Sequence, residues 1–218
     1  NLKWPPKELL HNSTLIEAVE NYVSLEIPPK YKWLINFVDA ASKRQEKVLI
    51  WSSLVGNLKA VERLLKPYSP SIVFGGTSAD DRKNAITRFK NDKSCKVLIT
   101  NPQTLGEGIS LHKVCHTAVY IDRTYNAGQY LQSLDRIHRL GLPKDIVTRI
   151  YILRSKNTID QAISIRLESK VSRMANVLND FGLVQDSLPN MDEDDIFGSN
   201  SLDEDDIKKL LEHLETDD

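Results

Sequence analysis

From Lys30 onward, short apolar runs rich in β-branched residues alternate with longer stretches whose apolar residues recur at helical spacing. In order these are KYKWLINFVDAAS, KVLIWSS, a helical pattern near 54–66, PSIVF, and a helical pattern near 79–91. CKVLIT, TAVYID, a helix over 127–140, VTRIYIL and a helical pattern from Thr158 to about Leu178 follow. Strands this short, separated by helices of ten or more residues, cannot pair as hairpins. They predict an α/β fold, a parallel sheet of about five or six strands with helices on both faces. Such sheets collect ligands at the carboxyl ends of their strands, which directs attention to the segments following Ser52, Phe74, Thr100, Asp122 and Leu153.

The pattern breaks at both ends. Pro5-Pro6 and Pro28-Pro29 flank LLHNSTLIEAVENYV, so residues 1–29 are expected to form an N-terminal connector with a short helix in it. Beyond Val184 the chain turns acidic, with DEDDI at 192–196 and again at 203–207. Ser201 with Glu204 three residues on reads as a capping box before Ile207–Leu211. Residues 181–218 are therefore expected to be an acidic linker and short C-terminal helix, a contact for a basic protein partner. Residues 30–180 form the single folded domain.

Charge changes the picture more than composition does. The formal net charge is −1, yet residues 186–218 hold 13 acidic and two basic side chains, a net of −11. Residues 1–185 carry 27 basic against 17 acidic side chains, a net of +10. That body attracts a polyanion, although a lysine-rich solvated surface has the same arithmetic. Cys95 and Cys115 have neither metal-ligand spacing nor the density of a disulfide scaffold, so both are expected to be structural thiols, with no metal site. No apolar run approaches the roughly 20 residues that span a bilayer, and NLKWPPKELL lacks a secretory pattern. The expectation is a soluble intracellular protein without a membrane partner.

On the helix over 127–140, Gln132, Arg136 and Arg139 fall at i, i+4 and i+7 on one stripe. Tyr130, Leu134 and Ile137 lie on the other, which is expected to pack. Two guanidiniums on one stripe suit a transferring phosphate, because the planar fork stays charged and bonds bidentately. Taken alone the same pattern is an ordinary solvated helix face, with Asp135 pairing locally.

QSLDRIHRLG resembles motif six of the superfamily-two helicases and translocases, and its Asp-Arg-x-His-Arg-x-Gly form resembles the Swi/Snf-type ATPases. The resemblance implies that Arg136 and Arg139 reach the phosphates of ATP held by a first lobe, with Gln132 positioning them. TLGEGISL (104–111) resembles motif five. There Gly106, Glu107 and Gly108 would face nucleotide, while Thr100 and Asn101 contact the nucleic-acid backbone. WSSLVGNL resembles motif four and FGGTSADDRKNAITRF the glycine-threonine turn that follows it, which adds Ser52, Gly76 and Thr77 as backbone contacts. Asp122-Arg123-Thr124-Tyr125-Asn126 resembles the Asp-Pro-x-Trp-Asn loop near the duplex groove, with Arg123 in place of Pro and Tyr125 in place of Trp. Tyr125 and Asn126 become nucleic-acid candidates. NTIDQAISIRLESK is similar to the brace helix. One departure is Leu142-Pro143-Lys144 where the family places Gln after the glycine.

No Gly-Lys-Thr or Gly-Lys-Ser occurs among the 218 residues, so the phosphate cradle of this chemistry is not in this sequence. The resemblance therefore implies the C-terminal RecA-like lobe of a DNA-dependent ATPase. ATP and magnesium would bind only in the two-lobe protein, with the N-terminal RecA-like lobe and duplex DNA as partners, and the isolated chain would be inactive. Two other readings stay open: a DNA-binding or partner-docking module without catalysis, and a restriction-linked or RNA-directed motor of the same superfamily.

Overall fold

A computed structural model describes residues 27–105, 109–138 and 146–178. Helix α1 (Pro29–Lys43) starts with Pro29 in its first turn, where a missing N–H costs nothing, and leads into strand β1 (Val48–Trp51). Helix α2 (Val55–Leu64) and a 3₁₀ turn at Lys66–Tyr68 connect to β2 (Ser71–Val73). Helix α3 (Ala79–Asn91) is capped by Ser78, whose hydroxyl accepts from the Asp81 amide at 3.1 Å, and it leads to β3 (Val97–Thr100). Strand β4 (Thr117–Tyr120), helix α4 (Ala127–Leu134), strand β5 (Arg149–Ile152) and helix α5 (Ile159–Leu178) complete the order.

All five strands pair in parallel, in the order β2-β3-β1-β4-β5. Their two-residue side-chain period divides the core cleanly. Val48, Ile50, Val97, Ile99 and Val119 meet Leu34 and Val38 of α1 and Leu58 and Val61 of α2 on one face. Leu49, Trp51, Leu98, Ala118 and Tyr120 meet Phe89 of α3, Tyr130 and Leu134 of α4, and Leu167 and Val171 of α5 on the other. Central strands covered on both sides explain why β1, β3 and β4 read as unbroken apolar runs. Each strand ends within two residues of where the sequence placed it. Among the described residues no helix is long and apolar enough to cross a membrane.

Connections leave β1 and β4 toward opposite edges of the sheet, so the crevice between their carboxyl ends is the topological switch point. Cys95 and Cys115 are buried free thiols, and burial pushes Cys115 up to about 12, which makes it inert at neutral pH.

Candidate nucleic-acid and nucleotide site

Asp122, just past β4, organises the switch point. Its carboxylate accepts from the Ser52 hydroxyl, from the Ser53 amide at 2.6 Å and from Asn57 Nδ2 at 3.0 Å. Asn57 in turn accepts from the Tyr31 hydroxyl at 2.8 Å. Burial, with the Asp122 charge behind it, pushes the Tyr31 phenol up, so it stays a donor. Ser52 is thus fully buried with its hydroxyl turned to Asp122.

At the neighbouring strand ends the candidates divide by exposure. Thr100 and Asn101 are buried, and Asn101 Oδ1 accepts from the Thr104 amide at 3.1 Å to close the turn after β3. Thr77 Oγ1 accepts from the Phe74 amide at 3.0 Å, holding a tight turn with Gly76 exposed on it. Asn126 is exposed and caps α4, accepting from the Gln129 amide at 3.0 Å. Tyr125 is half-buried; its carbonyl accepts from Lys170 of α5 at 3.0 Å. Burial raises the Tyr125 phenol, partly offset by the Arg166 charge. A narrow cleft lined by Ser53, Pro102, Asp122, Thr124, Asn126 and Gln129 opens among these ends. Gly76, Thr77, Tyr125 and Asn126 are therefore open to a ligand at the carboxyl edge, while Ser52, Thr100 and Asn101 shape the backbone behind them.

Arg136 lies elsewhere. Because β4 and β5 are parallel, α4 must run back across the sheet, and its eight residues carry the chain about 12 Å away from the carboxyl edge. The expected helix over 127–140 is shorter than its pattern: regular α-helix ends at Leu134, after which Arg136 and Ile137 bond three residues back to the Ser133 and Leu134 carbonyls and His138 four back to Leu134. Here the Arg136 carbonyl takes a tertiary bond, accepting from the Leu111 amide at 2.8 Å. Tyr130, Leu134 and Ile137 pack as their stripe predicts. Gln132 is exposed whereas Arg136 is buried, so the two do not share the exposed stripe that an unbroken helix would give. Arg136 is 8% exposed, and no ion pair among the described residues involves it. Leu111 closes the TLGEGISL segment, so that bond ties its last residue to the end of α4. Gly106, Glu107, Gly108 and Arg139 lie outside the described residues.

Two residues were concealed in the sequence. Asp122 registered as a strand end and as the first residue of the Asp-Pro-x-Trp-Asn-like loop without a role of its own, and its three donors are 65 to 70 residues earlier. Arg123, expected beside Tyr125 at the nucleic-acid surface, instead points inward: it is buried and its Nη2 donates to Ser164 of α5 at 2.7 Å. Burial lowers its guanidinium, and the nearby Tyr130 and Glu168 oppose that.

Residues 29–141 match the helicase conserved C-terminal domain family. The chain is 30% identical over 166 residues to TATA-binding protein-associated factor 172 of Homo sapiens, covering 74% of this chain and 9% of that protein. It is 30% identical over 164 residues to the ATP-dependent helicase FUN30 of Saccharomyces cerevisiae, covering 72% of this chain and 14% of that one. With the ATP-dependent DNA helicase DDM1 of Arabidopsis thaliana it shares 26% identity over 190 residues, 86% of this chain and 23% of the relative. Among solved structures it resembles the C-terminal part of the Fun30 ATPase domain, with a TM-score of 0.57 at 28% identity, covering 63% of this chain and 44% of that one.

Proposed function

Because the chain belongs to the helicase conserved C-terminal domain family, as a RecA-like lobe of the Swi/Snf-type ATPases, we propose that it is the second motor lobe of an ATP-driven duplex-DNA translocase. The observation that carries the reading is the Leu111 to Arg136 bond, which joins the segment after the glycine turn to the end of α4 around a buried guanidinium. In this reading Arg136 and Arg139 supply positive charge to the phosphoryl group in transit, with Gly106, Glu107, Gly108 and Gln132 as further nucleotide contacts. A guanidinium held in place costs no reorganisation when that charge develops, and burial of Arg136 favours such a placement. Gly76, Thr77, Tyr125 and Asn126 touch the duplex backbone at the other end of α4, on a turn framework shaped by Ser52, Thr100 and Asn101.

ATP is the substrate here, and its phosphate cradle comes from the first lobe. In this reading magnesium enters with the ATP phosphates held by the first lobe. The isolated chain therefore binds no nucleotide tightly and does not hydrolyse it. Duplex DNA is favoured over RNA because a relative is named as a DNA helicase. The decisive measurement is duplex-stimulated ATP turnover in the two-lobe protein carrying Arg136→Ala or Arg139→Ala. A loss of about 10³ or more in turnover is expected for a finger. Near-normal turnover in both variants overturns the assignment.

A further inference from the structure

Between the two ends of α4 lies a buried polar cluster that neither the nucleotide nor the duplex reading uses. Arg123, Ser164 and Glu168 are 8%, 1% and 7% exposed. The Arg123 guanidinium sits 5.3 Å from the Tyr130 ring centroid and donates to Ser164 Oγ, which itself donates to the Asp160 carbonyl at 2.9 Å. The Glu168 charge favours the protonated forms of both Arg123 and Tyr130. Tyr130 packs edge-on against Tyr120 with centroids 5.4 Å apart, and the Tyr120 hydroxyl pairs with Ser133 Oγ at 2.5 Å. The cluster thus joins the end of β4, the middle of α4 and one face of α5.

Stability alone is a poor explanation for this arrangement. A buried charge costs several kcal/mol to desolvate, and apolar residues of similar volume commonly do as well or better. Arg123 Nη1 is moreover buried without a hydrogen-bond partner, so the charge is held only partly satisfied. What the cluster does supply is a fixed geometry. Three residues past Arg123 is Asn126, which caps α4, and Lys170 of α5 grips the Tyr125 carbonyl between them. On the other side Tyr130 seats the helix whose end carries Arg136.

We propose that Arg123 is a positioning residue, clamping α4 and the Tyr125–Asn126 loop to α5 so that duplex contact and the Arg136 guanidinium keep one fixed relation. It borders the carboxyl-edge cleft from its buried side and acts through α4 and α5. This proposal rests on the motor reading and extends it, since it predicts a loss of coupling with the chemistry intact.

The test uses the two-lobe protein and compares basal turnover, duplex-saturated turnover and the unfolding midpoint. Arg123→Met combined with Glu168→Gln removes both buried charges and leaves no orphaned carboxylate. The ratio of duplex-stimulated to basal turnover is expected to fall about tenfold, within the range carried by packed networks, with basal turnover unchanged. Arg123→Lys, which keeps the charge beside Glu168, is expected to recover most of that ratio. Ser164→Ala, which removes one bond with little change in volume, is expected to give an intermediate ratio. A wild-type ratio in the folded double variant overturns the proposal, and so does a parallel fall of basal and stimulated rates. Arg136→Ala run alongside separates the two failures: retained turnover there defeats the motor reading, whatever the Arg123 variants do.

Discussion

Asn126 caps α4 through its side-chain carbonyl and is exposed on the carboxyl edge, so an alanine there loses two things together. Aspartate separates them, because it caps a helix as well as asparagine does but brings a negative charge to the surface where a phosphate would sit. Asn126→Ala is expected to lower stability by about 1 kcal/mol. Asn126→Asp is expected to keep the unfolding midpoint while weakening duplex binding, as read by titration at low salt. Equal duplex affinity in Asn126→Asp and the unmodified protein would reduce Asn126 to a helix cap. Ser52 and Thr100 behave differently. Both are fully buried, so substitution there acts on the turn geometry before it acts on any ligand.

Elements ended where their sequence patterns ended wherever local periodicity decided the matter, and β1, β3 and β4 are the clearest cases. The exception is α4, whose apolar stripe continues through Ile137 although the regular helix stops at Leu134. Nothing local signals that stop, and the bond that holds the Arg136 carbonyl comes from Leu111. Arg123 was illegible for the same reason: an arginine after a strand reads as surface, and its partner Ser164 lies 41 residues on. A second long-range fastening acts at this level, where Lys30 of α1 donates to the Ile121 carbonyl at 2.9 Å and pairs with Asp160 of α5 at 2.5 Å. Burial alone would raise the Asp160 carboxyl, but Lys30 and the Ser155 amide outweigh it and hold it below its ordinary value of 3.8. A depressed native value means the stabilisation is complete above the unfolded value and disappears as pH falls through the native one. The midpoint difference between the wild-type chain and Asp160→Asn is therefore expected to be full at neutral pH and to shrink below about pH 4. A gap that stays constant on acidification would show that the Asp160 charge does not fasten α1 to α5.

Across the whole molecule, electrostatics is governed by a charge division that cancels in the total: residues 1–185 carry +10 and residues 186–218 carry −11. Duplex binding releases counterions in proportion to the phosphates neutralised, so on the proposed duplex reading a body of this charge is expected to show a steep salt dependence. An acidic segment tethered to the same chain competes with phosphate for those cations at a high effective concentration, and salt screens that competition over about 10 Å at 0.1 M. Residues 1–185 alone are accordingly expected to bind a mixed-sequence duplex more tightly than the 218-residue chain at low salt, with the two affinities converging as salt is raised. Titrations of both chains across a salt series would read the effect directly. Affinities that coincide at every salt concentration would mean that the acidic segment never meets the basic face. A gap that persists undiminished in high salt would point to a packed contact in place of a screened one.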